Sequence, residues 1–204
     1  RDDPKALEIW RKAGVKPEGD LIKAPADWIR ALCRKAPSEF TQRARNPERS
    51  VRIGGAHQVF APIYGAPFVR DLKQGRRYGD LDSFTKLVKL VQMLPSLHHS
   101  GLVIVEPCDV PVSKRHLDMV YAHMRYTDKP HLGAITEQSR AQDSVDMAEI
   151  LHGKEAMDTQ CVILGNVNTN SPLLVDKVVS EAIRTYHPKK LNVPCLPIHL
   201  RQFQ

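Results

Sequence analysis

The chain has 204 residues, of which 42% are hydrophobic and 26% are charged, and its formal net charge is +7. This composition supports a packed core and excludes a disordered polypeptide. No apolar run approaches the ~20 residues that a transmembrane helix requires, and the first residues lack the apolar stretch of a signal peptide. We therefore expect a globular protein of the cytoplasm.

The cysteines do not indicate a metal site. Cys33, Cys108, Cys161 and Cys195 are widely separated, and no CxxC pair is present. This spacing argues against a zinc ribbon. Free thiols in a reducing compartment are the simpler interpretation.

The positive charge is dispersed along the chain. Arg43, Arg45, Arg49 and Arg52 are interleaved with other residues, and residues 74–78 have the composition of a turn. No helix-turn-helix, RNP or zinc-finger motif is present. A solvated basic surface is therefore favoured over a nucleic-acid-binding one.

The first part of the chain predicts two helices and a small antiparallel sheet. Helical spacing of apolar residues covers 3–13 and 25–35, and Pro or Gly lies at their ends. Residues 40–68 read as a hairpin or meander, with a turn at 46–49. We interpret residues 1–79 as an N-terminal extension.

The second part alternates short apolar runs with helical patterns. The runs cover residues 101–108, 131–137 and 161–171, and the predicted helices cover 80–94, 113–126, 143–152 and 171–186. This alternation is typical of parallel α/β folds. A fourth strand is predicted at 193–198. Because no GxGxxG or GxxxxGK[ST] motif is present, the first βα units of a (β/α)8 barrel fit better than a nucleotide-binding fold.

Polar residues end all three runs, where the working groups of a parallel α/β protein lie. They are Glu106, Thr136, Glu137, Asn166, Asn168 and Asn170. A carboxylate such as Glu106 could act as a base or attract a cation, or simply be solvated. The asparagines alternate, so they could point to one side and orient a substrate, although helix capping is the simpler role for Asn170.

Four histidines and one tyrosine need separate interpretations. His99 precedes the first run and is a weaker candidate, and His98 is weaker still. His116 and His123 lie seven residues apart, whereas a metal pair on a helix usually has i,i+4 spacing. We interpret both as helix-surface or interface histidines. Tyr64 lies in a loop that could present its aromatic ring.

Several long strings carry a family resemblance. They are YGAPFVRDL at 64–72, GRRYGDLDSF at 75–84, LHHSG at 97–101, EPCDVPVSKRHLDMVYAHMRYTDKP at 106–130 and NVNTNSPL at 166–173. On these strings, the segment 64–186 resembles the N-terminal part of the trimethylamine methyltransferase family, the corrinoid-dependent amine methyltransferases.

The resemblance implies a (β/α)8 barrel that transfers a methyl group. A tertiary or quaternary methylamine, such as trimethylamine or a betaine, would donate the methyl group to the Co(I) of a separate corrinoid protein. No corrinoid would be bound by this chain directly. Tyr64 could hold a quaternary ammonium through a cation–π contact, worth about 0.5–2 kcal/mol, and Glu106 would add Coulomb attraction. The candidate substrate-binding residues are Tyr64, His99, Glu106, Glu137, Asn166 and Asn168.

The chain also departs from the family pattern. Family members run to more than twice this length, so residues 80–204 would be only the first part of a barrel. The codons that can encode residues 197–203 can also be read in the frame that starts one base later. In that frame they permit Pro-Phe-Ile-Phe-Gly-Ser, which resembles the sequence with which family members continue. This leads to the hypothesis that residues 187–204 result from a frameshift.

Two other functions remain open from the sequence. A non-catalytic domain that binds an amine or the corrinoid protein would show binding without turnover. A nucleic-acid-binding protein would show steeply salt-dependent binding, and the dispersed charge makes this the weakest alternative. Self-association is a further expectation for the complete barrel.

Overall fold

A computed structural model describes residues 2–167 and 174–186. The α-helices within these residues are α1 (Pro4–Lys12), α2 (Ala26–Cys33), α3 (Leu81–Met93), α4 (Arg115–Tyr126), α5 (Gln138–His152), α6 (Lys154–Thr159) and α7 (Lys177–Tyr186). The strands are β1 (Glu39–Gln42), β2 (Val51–Gly54), β3 (Phe68–Asp71), β4 (Gly75–Tyr78), β5 (Leu132–Gly133) and β6 (Leu164–Gly165). None of these helices is both long enough and apolar enough to span a bilayer.

The two N-terminal helices follow the predicted positions closely. Asp3 caps α1, since its side chain accepts a hydrogen bond from the Ala6 N–H at 3.1 Å. Trp10 of α1 and Trp28 of α2 pack with their ring centroids 5.9 Å apart. This aromatic pair brings the two helices together.

Two antiparallel hairpins follow. β1 pairs with β2, from Glu39 opposite Gly54 to Gln42 opposite Val51, which confirms the predicted hairpin. β3 pairs with β4, and this corrects the prediction that 74–78 is a turn. The turn lies earlier, because Gly75 has the left-handed φ of 67° and Asp71 accepts hydrogen bonds from the next backbone amides.

The second part of the chain has the predicted order of parallel segments and helices. β5 and β6 pair in parallel, and the Leu132 N–H donates a hydrogen bond to the Gly101 carbonyl at 2.9 Å. The three apolar runs are thus neighbours in space. The regular strands are much shorter than predicted, and the described residues do not close into a barrel.

The first apolar run forms no regular strand. It contacts the neighbouring segments through isolated backbone hydrogen bonds, including a parallel bridge between Ala66 and Val105. Within the run, the Ile104 N–H turns back to the Leu102 carbonyl at 3.2 Å. This local bond removes one donor from the ladder that a strand needs.

The helices form a layer over the parallel segments. α3 packs on α4, α4 on α5, and α5 on α7. Phe84 and Val88 of α3 and Val120 of α4 are completely buried. Each such side chain contributes about 1.5–3 kcal/mol of hydrophobic stabilisation. The packing of α3 on α4 therefore stabilises the first βα unit.

The starts of two helices differ from the prediction by several residues, and one helix was not predicted. α5 starts at Gln138, five residues before the predicted start, and α7 starts at Lys177, six residues after it. α6 was not predicted. Gly153 ends α5 with a φ of 83° and also precedes α6, so one glycine both ends a helix and allows the next to start. The predicted cap at residues 171–172, the strand at 193–198 and the tail at 187–204 lie outside the described residues. The division at residue 79 stays a prediction.

A buried polar cluster lies where the parallel segments begin. The His99 Nε2–H donates to Gln42 Oε1 at 3.1 Å, and Gln42 Nε2 donates to the His131 carbonyl at 2.9 Å. Ser100 donates to His123 Nδ1, and His123 Nε2 donates to the Leu102 carbonyl. We call these five residues (Gln42, His99, Ser100, His123 and His131) the amino-end cluster.

Burial of the α4 histidines contradicts the helix-surface alternative, and His116 lies at the contact between α4 and α5. His123 is fully buried, and His116 is 5% exposed and bonds Asp143 of α5 at 2.7 Å. Neither lies on the helix surface. The seven-residue spacing places both on the inner face of α4, where the bonds of His116 to Asp143 and of His123 to Ser100 and Leu102 offset part of the cost of burial.

Candidate functional site

Glu106 is positioned by backbone bonds to the segment before β3. Its N–H donates to the Ala66 carbonyl at 2.8 Å, while the Gly65 N–H donates to the Val103 carbonyl at 2.8 Å. Residues 64–66 therefore run alongside residues 103–106. This alignment places the Glu106 side chain and the Tyr64 side chain on adjacent segments.

Tyr64 presents an accessible aromatic ring on the segment that runs alongside residues 103–106. Tyr64 is 47% exposed to solvent. Surrounding protein and the negative charge of Glu106 raise the pKa of Tyr64 above its ordinary value. The phenol is neutral at physiological pH even without this shift, and the raised pKa indicates that the ring senses the charge of Glu106.

Glu106 does not stand alone, because Arg115 of α4 pairs with it. Arg115 Nη1 lies 3.2 Å from Glu106 Oε2, and the Arg115 side chain is 18% exposed. Two further hydrogen bonds fix the guanidinium on the Val110 carbonyl, at 3.0 and 3.3 Å. Sequence reasoning missed Arg115, since nothing in the pattern indicated that the chain turns back after Val110.

Glu137 occupies the N-cap position of α5, and its side chain makes no hydrogen bond to the backbone of the helix. It precedes Gln138, and its carboxylate lies 3.3 Å from Arg140 Nε with 53% of the side chain exposed. Thr136 accepts a weaker bond from the same arginine at 3.4 Å. A carboxylate held this way complements the helix dipole, which accounts for Glu137 without a ligand.

Asn166 directly follows β6 and is half-buried. β6 ends at Gly165, so Asn166 lies just beyond the parallel pairing of β5 with β6. Asn168 and Asn170 lie outside the described residues.

His99 is located away from the other candidates. It is 5% exposed and belongs to the amino-end cluster, at the start of the first parallel segment. Its Nδ1 accepts the Gly101 N–H at 2.8 Å, so both ring nitrogens are engaged. Burial, and to a lesser extent His123, lowers its pKa to about 3.

The structure thus brings part of the predicted set to one edge. Glu106, Glu137 and Asn166 each follow one of three neighbouring parallel segments. Tyr64 directly precedes Gly65 and Ala66, which bond to Val103 and Glu106. We call this the carboxyl edge. Chemically, an aromatic face next to a carboxylate attracts a cation. The mostly buried side chain of Arg115, next to Glu106, can hold an anionic group.

The fold and this edge define an α/β protein with a polar site at the ends of its parallel segments. Comparison with known proteins gives the family. The model for Trimethylamine methyltransferase (MTTB) matches residues 1–201, and the chain belongs to this family.

Two curated relatives support the assignment. The chain is 37% identical over 182 residues to Glycine betaine methyltransferase of Desulfitobacterium hafniense (strain Y51), covering 89% of this chain and 38% of the relative. It is 26% identical over 186 residues to Proline betaine:corrinoid methyltransferase of Eubacterium limosum, covering 84% of this chain and 37% of the relative. The chain therefore spans well under half the length of these relatives.

Proposed function

We propose that this chain forms part of a methyltransferase that moves a methyl group from a methylated amine to the Co(I) of a corrinoid protein. The observation that carries the proposal is the alignment of residues 64–66 with residues 103–106, which puts Tyr64 and Glu106 on adjacent segments of a member of this family. An aromatic face and a carboxylate are the two groups that attract a quaternary ammonium. The parallel segments are the first part of a (β/α)8 barrel in this proposal.

The substrate that fits best is a betaine, which carries both a quaternary ammonium and a carboxylate. Tyr64 and Glu106 contact the ammonium, and Arg115 beside Glu106 holds the carboxylate. Both curated relatives are named for betaines, which supports this choice over trimethylamine. Trimethylamine has no group for Arg115 to bind.

In the reaction, the carbon–nitrogen bond of the ammonium breaks and its electron pair stays on the nitrogen, which leaves as a neutral amine. The methyl group passes to the cobalt of the partner protein, which supplies the nucleophile. This chain's residues hold and orient the ammonium and exclude water from it. Because the positive charge on nitrogen disappears during transfer, an overly strong cation site would slow the step. Pairing of Glu106 with Arg115 moderates that attraction.

The test uses the protein at its full native length. It is mixed with the Co(I) form of the corrinoid protein and either glycine betaine or trimethylamine, and cobalt absorbance is followed. Methylation with glycine betaine is the expected result. Methylation with trimethylamine alone would contradict the betaine assignment, and amine binding without methylation by either would favour a non-catalytic binding role.

A further inference from the structure

The β3–β4 hairpin is a basic, protruding element beside the carboxyl edge. Between Phe68 and Tyr78 it carries four cationic side chains and one carboxylate. The carboxylate, Asp71, pairs with Arg77 at 2.5 Å. Among the described residues, Arg70 and Lys73 form no ion pair, and both are exposed.

The base of the hairpin is attached to the site. The Gly79 N–H donates to the Pro67 carbonyl at 3.0 Å, and the Cys108 N–H donates to the Gly79 carbonyl at 2.9 Å. The hairpin begins just after residues 64–66, which run parallel to residues 103–106. It therefore extends beyond the carboxyl edge on the side of Glu106.

The hairpin is internally ordered. Phe68 and Tyr78 face each other with centroids 4.7 Å apart, and the Arg76 guanidinium lies 3.7 Å from the centre of the Phe68 ring. A cross-strand aromatic pair and a cation–π contact stabilise a short hairpin. Arg70 is therefore held on a paired strand, and Lys73 lies in the turn, where its N–H donates to the Asp71 carboxylate at 2.9 Å.

The tip carries an apolar side chain with no neighbours to cover it. Leu72 is fully exposed, between Asp71 and Lys73. A leucine at the end of a stiff basic hairpin resembles the anchor of a protein interface, in which an apolar residue enters a pocket and charges around it set orientation. A solvated turn would more often carry Gly, Asn or Asp at such a place.

We propose that the β3–β4 hairpin is a docking element for the corrinoid protein, which would offer an acidic surface with an apolar recess for Leu72. This inference rests on the proposed function, because cobalt must come within bonding distance of a methyl group held at the carboxyl edge. A partner that covers this edge also meets the hairpin. The charge of the hairpin selects an acidic partner surface.

The test measures binding separately from chemistry. In the full-length protein, Arg70 and Lys73 are both replaced by Glu, and the Kd for the Co(II) corrinoid protein is measured by calorimetry at about 50 mM and about 300 mM NaCl. We expect binding to weaken roughly tenfold or more at low salt, and the salt dependence of the variant to be shallower. Leu72→Asp should weaken binding at both salt concentrations.

The control applies the same charge change elsewhere. Arg34 and Lys35 are exposed residues directly after α2, and replacing both by Glu should leave the Kd unchanged. Equal losses in the two double variants, or an unchanged Kd in the hairpin variants, would overturn the inference. Circular dichroism confirms that each variant is folded.

Methyl transfer from glycine betaine to free cob(I)alamin tests the proposed function independently of docking. If this transfer is retained while the hairpin variants bind the corrinoid protein normally, only the docking inference fails. If the hairpin variants instead lose binding of a fluorescent RNA oligonucleotide and keep that of the corrinoid protein, the hairpin is a nucleic-acid surface and the docking inference is wrong.

Discussion

Tyr64 illustrates how one side chain gains its properties from a neighbouring segment. Its ring is accessible, yet surrounding protein and the Glu106 carboxylate raise its pKa. The phenol is uncharged at neutral pH with or without this shift. A cation–π contact uses the face of the ring, so the role proposed for Tyr64 depends on the ring and not on the hydroxyl group.

This reasoning predicts different effects for two substitutions at Tyr64. Tyr64→Phe keeps the aromatic face and should change the KM for glycine betaine less than about twofold. Tyr64→Ala removes a contact worth ~0.5–2 kcal/mol, which corresponds to a roughly two- to thirtyfold rise in KM. Steady-state kinetics of the full-length protein measures both. A similar KM for Tyr64→Phe and Tyr64→Ala would contradict a cation–π role.

In the proposed site, Arg115 holds the carboxylate of the substrate, whereas Tyr64 and Glu106 hold its ammonium. If Arg115 holds the carboxylate, Arg115→Gln should raise the Kd for glycine betaine by roughly tenfold or more, the loss expected for a charge-assisted hydrogen bond. Tetramethylammonium lacks a carboxylate, so its Kd should stay the same or fall, because Glu106 loses its cationic partner.

Both ligands can be compared by calorimetry on the same preparation. A parallel loss of affinity for the two ligands would show that Arg115 only supports the structure around Glu106. In that case the carboxylate of a betaine would be held by other residues.

At the scale of elements, the amino-end cluster holds the starts of the parallel segments together. Gln42 of β1 reaches both His99 and His131, so the N-terminal hairpin is tied to two segments of the second part of the chain. The hydrogen bonds of His99 and His123 require neutral rings, because Nδ1 of each accepts a hydrogen bond. Burial lowers the pKa of His99 to about 3 and that of His123 to about 4, and that of His131 falls well below 6.5.

These pKa values predict a specific dependence of stability on pH. A histidine with a folded pKa below its unfolded pKa of about 6.5 contributes stability that is complete above pH ~6.5 and is lost as the pH falls toward the folded value. His99 and His123 together should lower the free energy of unfolding by up to ~2.7 kcal/mol for each pH unit between about 6 and 4.5. Urea unfolding at several pH values measures this slope.

Two variants test whether His99 contributes to this pH dependence of the free energy of unfolding. Asn at position 99 can still accept the Gly101 N–H bond, so His99→Asn should reduce the slope by about one proton. The matched change His57→Asn, at an exposed histidine, should leave the slope nearly unchanged. An identical slope in His99→Asn would mean that His99 is not a neutral buried group.

The elements that the sequence predicted well are those with local signals. α3 has Asp80 as a cap, with its side chain 2.7 Å from the Ser83 N–H, and apolar residues at helical spacing. The hairpin β3–β4 was missed because its pairing depends on a cross-strand Phe68–Tyr78 contact that periodicity does not show. The amino-end cluster was missed for the same reason, since its partners are separated by up to 89 residues.

The candidate site was predictable only in part. The position of Glu106 follows from the end of an apolar run, whereas the approach of Tyr64 depends on two backbone bonds to residues 103–106. Neither charge nor spacing could indicate the Glu106–Arg115 pair. His99 had the residue type expected of a site, but its place at the start of a segment gives it structural partners instead.

At the scale of the whole molecule, an ion pair joins α1 to α7. Asp3 Oδ2 lies 2.7 Å from Arg184 Nη1, and the Asp3 side chain is 5% exposed. Burial alone would raise the pKa of Asp3, but hydrogen bonds from Arg184 and Ala6 hold it below its ordinary value. The pair thus stabilises the fold at neutral pH and loses that contribution as acid protonates Asp3.

Asp3→Asn should loosen both helices together. Asparagine remains a good helix cap, so the substitution mainly removes the charge partner of Arg184. Hydrogen exchange should therefore accelerate in α1 and α7 by a similar factor, of the order of tenfold for a loss of ~1.4 kcal/mol. The neighbouring change Asp2→Asn, at an exposed residue, serves as the control. Faster exchange in α1 alone would contradict coupling between the helices.

The Asp3–Arg184 pair also has a consequence for biosynthesis. Its partners are 181 residues apart, and a ribosome adding ~5–20 residues per second would need roughly ten to forty seconds to supply the second one. During that interval α1, with Ile9 about half exposed even in the final fold, lacks its ion pair. Nascent chains stalled before Arg184 should therefore be cleaved in α1 by limited proteolysis, which makes this helix a natural early contact for chaperones.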